Sequence, residues 1–136
     1  MALVEIEVPS RTAYVGVVRL ALSALARSAG LDEDVVDDLK IAVSEACANA
    51  VLANEDADGD VSVTVAWTET DDGIVVEVGD RGPIHDPRPD EEVDSQGFST
   101  RSVLSFSLLT ALAADCSRTP REGGGMSTQM SFPRPG

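Results

Sequence analysis

Two cysteines, Cys47 and Cys116, one histidine, His85, and one lysine, Lys40, are all that the chain holds of these types, and each shortage removes a class of function. Two thiols cannot build a disulfide scaffold or a cysteine-based zinc site, so they suit a reducing cytoplasm and read as small core residues, with a redox role left open. A single imidazole has no second nitrogen ligand for a metal and no serine or cysteine nucleophile beside it, so His85 reads as a loop residue. Basic residues are scarce as well: 10 stand against 24 acids, a net charge of −14. That balance argues against the phosphate backbone of nucleic acid and against anionic membranes, and favours a basic partner. No apolar run reaches the roughly 18 to 20 residues of a membrane span. The start, MALVEIEVPSR, lacks a basic region followed by an apolar stretch, so export is not expected.

What is present is 136 residues with 43% apolar side chains, enough for one domain over 1–136 with a single core. The acids are uneven, with ten from Asp32 to Asp60, ten from Glu69 to Asp94 and four elsewhere. This pattern gives either a solvated face or a docking surface.

Val4, Ile6 and Val8 alternate with Glu5 and Glu7, which predicts a half-buried strand ended by Pro9. Helical spacing of Tyr14, Val17, Val18, Ala21, Leu22 and Leu25 predicts a helix from Ser10 to Ala29, with Gly30 at its C-terminal cap. Asp32 can cap a second helix to about Leu52, with Val35, Leu39, Ala42, Val43, Ala46 and Ala50 as its inward stripe. Val61, Val63, Val65 and Trp67 then turn at Asp71-Asp72-Gly73 into Ile74, Val76 and Val78, an antiparallel hairpin with Trp67 as a core anchor. Between Gly79 and Gly97, Pro83, Pro87, Pro89 and many acids leave no period, which predicts a long loop. Ser99 can cap a third helix with Val103, Phe106, Leu109, Leu112 and Ala113 near one side; a last hairpin turns at Gly123 to Gly125 and packs Met126 and Met130 on the sheet. The order β-α-α-β-β-loop-α-β-β predicts a two-layer α/β sandwich, a mixed sheet with helices on one face.

Glu45 and Asn49 are four residues apart on the second helix and so share a face. A carboxamide oxygen there can ligate Mg²⁺, and the carboxylate can take a proton from an attacking hydroxyl or water. Asp80-Arg81-Gly82 opens the long loop, where Asp80 could accept from an exocyclic amine and Gly82 could admit a flat ring. Each motif alone is common, the second in ordinary turns. Their joint order along the chain carries the weight.

The run Tyr14-Val15 with Val17-Val18-Arg19-Leu20, and above all Leu39-Lys40-Ile41-Ala42-Val43-Ser44-Glu45-Ala46-Cys47-Ala48-Asn49-Ala50-Val51, resembles the bacterial anti-sigma factors of the RsbW and SpoIIAB type. These are serine-kinase-like members of the GHKL ATPase superfamily with the Bergerat, histidine-kinase-like ATPase fold. The resemblance covers nearly the whole chain. It implies that Glu45 is the catalytic carboxylate, Asn49 the Mg²⁺ ligand, Asp80 the reader of the adenine amino group and Gly82 the glycine beneath the base, with a lid loop at about 83–98. It further implies ATP or ADP with Mg²⁺ as cofactors, a sigma factor and an anti-anti-sigma antagonist with a STAS domain as partners, and a homodimer.

The phosphate half departs from the family. Aligning Leu112-Ala113-Ala114-Asp115 with the family's end of the third helix puts Val103 and Ser105 where two phosphate-holding glycines are expected, and Gly125 is followed by Met126 where a threonine is expected. The resemblance therefore implies sequestration of a sigma factor with weak or absent nucleotide binding, or, as the alternative, an active serine/threonine kinase acting on the antagonist. A histidine kinase catalytic domain shares the fold, but the chain has no dimerisation helix bearing a phospho-accepting histidine.

Overall fold

The computed structural model describes residues 2–55, 61–82 and 100–134. The elements run β1 (Ala2–Pro9), α1 (Val15–Ser28), α2 (Glu33–Asn54), β2 (Ser62–Glu69), β3 (Gly73–Gly79), α3 (Thr100–Leu112), β4 (Asp115–Pro120) and β5 (Met126–Pro133). Among the described residues no helix is long and apolar enough to cross a membrane.

The strands form one sheet in the order β1-β2-β3-β5-β4. Ile6 pairs with Val65, Val65 with Val78 and Val78 with Thr128, so strand alternation puts one apolar set on one face. On that face Val63, Val65, Trp67, Ile74, Val76, Val78, Met130 and Phe132 are buried in one cluster with residues of all three helices. Glu5, Glu7, Glu77 and Gln129, on the alternate positions, are exposed. The two-layer sandwich is thus as expected, but its sheet is antiparallel between every pair of neighbours rather than mixed. The physical reason lies in the connections. Two helices between β1 and β2 return the chain to the end it left, so β2 runs opposite to β1. The single helix between β3 and β4 gives strands of one sense, but β5 inserts between them and pairs antiparallel with both.

The first helix begins later than its apolar spacing suggests: a short 3-10 turn covers Thr12–Tyr14 before α1 starts at Val15. Its inward residues are Val18, Leu22, Ser23 and Ala26, whereas Tyr14 and Val17, expected on the buried stripe, face solvent. Gly30, at φ 84°, ends the helix as expected, since this conformation lets the Leu31 N–H reach the Ala26 carbonyl at 3.1 Å. Asp32 does occupy the N-cap position of α2, but its side chain makes no capping bond; its carbonyl accepts from the Val36 N–H at 2.9 Å. The acidic Glu33 and Asp34 in the first turn favour the helix dipole. The helix runs two residues beyond the expected Leu52, to Asn54, because Asn54 is buried and bonded at its end. In α3 Leu109 is buried, as is Ala113 just past its end, while Val103 is exposed and Phe106 half-buried, so the inward side is narrower than the sequence pattern. Ser99, His85 and the loop at 83–98 lie outside the described residues.

Candidate functional site

Asp80 stands where the chain leaves β3, on the inner face two residues beyond Val78. Its N–H donates to the Met126 carbonyl at 3.0 Å, and its carbonyl accepts from Arg121 Nη1 at 2.8 Å. The side chain is buried, and its Oδ1 accepts from the Gly82 N–H at 3.0 Å and the Met126 N–H at 3.1 Å. Oδ2 has no hydrogen bond among the described residues. Burial pushes the carboxyl upward from its ordinary range, against the pull of the two N–H bonds and the charges of Arg118 and Arg121. The result is a fixed, buried carboxylate with one oxygen open to a donor, which is what an exocyclic amine requires.

Two glycines hold this carboxylate in place. A Cβ on Gly82 would lie 2.1 Å from the Ala53 carbonyl oxygen, so the missing side chain faces the end of α2. The sequence gives Gly82 a role beneath a flat ring; the contact that demands glycine here is with the helix backbone. Gly125, at φ 93°, brings the β4–β5 turn so close that a Cβ would lie 2.0 Å from the Asp80 carbonyl oxygen. Arg81 closes the turn by donating from Nη1 to the carbonyls of Glu122 and Gly124, each at 3.1 Å.

Asn54 is a residue that sequence reasoning missed. Its Nδ2 donates to Ser10 Oγ at 3.0 Å and to the Ser62 carbonyl at 3.1 Å, and its Oδ1 accepts from the Arg81 N–H at 2.7 Å. One buried amide thereby joins the segment after β1, the start of β2 and the loop after β3. The stripe Ala46, Ala50 continues to Asn54 at four-residue spacing, a signal that was available.

Glu45 and Asn49 project from α2, both half-buried. Asn49 lies one turn before Ala53, about 6 Å along the axis, which brings it toward Gly82; Glu45 is a further turn away. Glu45 makes no hydrogen bond among the described residues. The Nδ2 of Asn49 donates to the Oγ of Ser105, a buried residue of α3. Ser105 is the sixth residue of that helix, so its amide lies within the helical ladder and outside the first four free N–H groups. Val103, in the first turn and 41% exposed, turns its side chain outward. Among the described residues no group of three or more His, Cys, Asp or Glu is placed to hold a metal ion.

Arg118, on β4, has a buried Nε without a hydrogen-bond partner, on the same inner face as Cys116. Burial raises the thiols of both cysteines, Cys47 to about 12, which keeps Cys47 protonated and unreactive at neutral pH.

The profile of the histidine kinase-like ATPase domain matches residues 8–132, from the end of β1 into β5. The chain belongs to that family. Within it the chain is of the RsbW and SpoIIAB type. It is 45% identical over 85 residues to the serine-protein kinase RsbW of Bacillus subtilis, covering 61% of this chain and 52% of the relative. With the RsbW of Bacillus licheniformis it shares 42% over 86 residues, 61% of this chain and 54% of that one. With the RsbW of Oceanobacillus iheyensis it shares 34% over 110 residues, 70% and 68% of the two. The chain spans about half the length of the first two of these relatives. The five-stranded sheet with three helices on one face is the architecture of the histidine kinase-like ATPase fold.

Proposed function

We propose that this protein sequesters an RNA polymerase sigma subunit and is released by an anti-anti-sigma antagonist, with an adenine pocket at Asp80 and a phosphate half that no longer holds a triphosphate tightly. The observation that carries this reading is Ser105, which stands buried inside the third helix where a phosphate-holding glycine is expected and accepts there from Asn49 Nδ2. Membership of the RsbW type supports the sigma partner, and the net charge of −14 suits the basic promoter-binding surfaces of sigma subunits. We take residues 1–136 as one domain with a lid at about 83–98, acting in the cytoplasm as a homodimer.

The fit of the nucleotide divides in two. For adenine the residues fit: Asp80 Oδ2 is open for the amino group, and Gly82 and Gly125 hold the carboxylate rigid. For the triphosphate they fit less well, because positions 103 and 105 carry side chains inside a helix; Asn49, the candidate Mg²⁺ ligand among the described residues, donates from Nδ2 to Ser105 and keeps its Oδ1 for a cation.

The alternative reading is an active serine/threonine kinase, favoured by Glu45, which stands one turn from Asn49 with no hydrogen bond among the described residues. Glu45 would then accept the proton of the antagonist's hydroxyl. The sequestration reading is tested by titrating purified sigma subunits of the source cell into the protein without nucleotide. One of them is expected to bind and to lose its ability to restore promoter-specific transcription to core polymerase. Binding of none would overturn the reading.

A further inference from the structure

Three arginines stand around Asp80, and two of them are engaged. Arg81 Nη1 donates to the carbonyls of Glu122 and Gly124, and Arg121 Nη1 donates to the carbonyl of Asp80 itself. Arg118 is the third. Its Nε is buried without a hydrogen-bond partner, and its guanidinium makes no hydrogen bond or ion pair among the described residues. Buried N–H groups are nearly always paired, so an orphan of this kind calls for an acceptor that the folded chain does not itself supply.

Strand register places this donor. Arg118 on β4 pairs with Thr128 on β5, and Thr128 pairs with Val78 on β3, so the three share one row of the inner face. Asp80 lies two residues beyond Val78 on that face, which sets Arg118 two strands, about 10 Å, across the sheet from it. Half-buried Met126 and buried Thr128 stand on β5 between them. The two charges are near enough to be felt: burial raises the Asp80 carboxyl, and Arg118 is among the groups that pull it back. They are too far apart to pair, since no ion pair joins them. A fixed acceptor, Asp80 Oδ2, and an unpaired donor, Arg118 Nε, thus flank the start of β5 on its inner face.

We propose that Arg118 is a second base-binding residue of this site, its Nε–H donating to the ring nitrogen beside the amino group of an adenine whose amino N–H is accepted by Asp80 Oδ2. The proposal rests on the reading of Asp80 as an adenine site, and adds to it a residue to which the resemblance assigns no role. Adenine offers such a pair on either edge, because its amino group has a ring acceptor on each side, N1 and N7. An arginine has donors only, so it suits a ring nitrogen and not the amino group.

The test follows the Arg118 Nε–H signal of the isotope-labelled full chain by NMR as ADP is added, the signal being assigned by its loss in Arg118→Met. ADP is expected to move it. Of 1-deaza-ADP and 7-deaza-ADP, the one lacking the nitrogen that Arg118 meets should leave the signal in place and bind about tenfold or more weaker than ADP. Arg118→Met should weaken ADP by a similar factor and that analogue by less than about twofold, since the contact is already gone. The analogues need only the parent protein, so this arm stands even where Arg118→Met folds poorly. ADP bound with the Nε–H signal unmoved, or both analogues bound as tightly as ADP, would overturn the proposal and leave the Asp80 reading in place. No ADP binding by the parent, or equal binding by Asp80→Asn, would overturn both.

Discussion

The amide of Asn49 and the hydroxyl of Ser105 are hydrogen-bonded across the gap between α2 and α3, 56 residues apart in sequence. A half-buried amide without this acceptor would be left unpaired, so Ser105→Ala is expected to cost about 1 to 3 kcal/mol. Ser105→Gly should cost about 1 kcal/mol more, from its low helix propensity. Urea denaturation of the three proteins measures both differences; an alanine variant as stable as the parent would show that the bond does not hold the helices together.

Gly82→Ala forces a Cβ to within 2.1 Å of the Ala53 carbonyl oxygen, backbone against backbone. A loss of about 3 kcal/mol is expected, the upper part of the usual overpacking range. The variant should unfold at lower denaturant, and a change below about 0.5 kcal/mol would show that the segment after β3 can move away from α2.

Asp80→Asn keeps the shape and the two N–H bonds at Oδ1 but replaces the open oxygen with a donor. Any adenine nucleotide binding should weaken by about 1 to 3 kcal/mol, read by calorimetry with ADP. Stability supplies a second readout. The Asp80 carboxyl is raised by burial, so the native state holds its proton more tightly than the unfolded chain. The stabilisation from that proton is full below the unfolded value and lost as pH rises through the folded one. The parent should therefore lose stability relative to Asp80→Asn as pH rises across that interval. A difference that does not change with pH would contradict the direction of the shift.

Association with a sigma subunit is expected to slow as salt rises from about 50 to 500 mM, because the shorter Debye length screens the net charge of −14. Stopped-flow rates that ignore salt would remove charge steering from the account.

The order of elements and the site positions on them were legible because periodicity reports local structure: Val63, Val65 and Trp67 alternate, and Leu39, Ala42, Val43 and Ala46 mark a helix face. What was not legible was set by long-range packing. The sense of the sheet depends on where β5 inserts, which no local pattern records. Tyr14 and Val17 continue the apolar spacing of α1 yet stay outside, because Val17, Leu20 and Ala24 repeat helical spacing on the side away from Val18, Leu22 and Ala26, and spacing alone does not mark which side meets the sheet. Asn54 was not legible as a site residue, and Ser105 was legible only as a missing glycine, because the partner of each is distant in sequence. Gly82 was legible as a required glycine; the Ala53 carbonyl, distant in sequence, adds a reason that no local pattern records.

The central claim is that sequestration persists where triphosphate binding does not. The decisive measurement is calorimetry with Mg-ATP beside a radiolabel transfer assay on the cognate antagonist, each repeated with Glu45→Ala and Asn49→Ala. Each lost charge-assisted hydrogen bond to phosphate is worth roughly 1.5 to 3 kcal/mol, so two or three should weaken ATP by orders of magnitude. The expected result is no phosphate transfer, with sigma binding unchanged in both variants. Micromolar ATP affinity with phosphorylation that disappears in Glu45→Ala would contradict the account and establish the kinase.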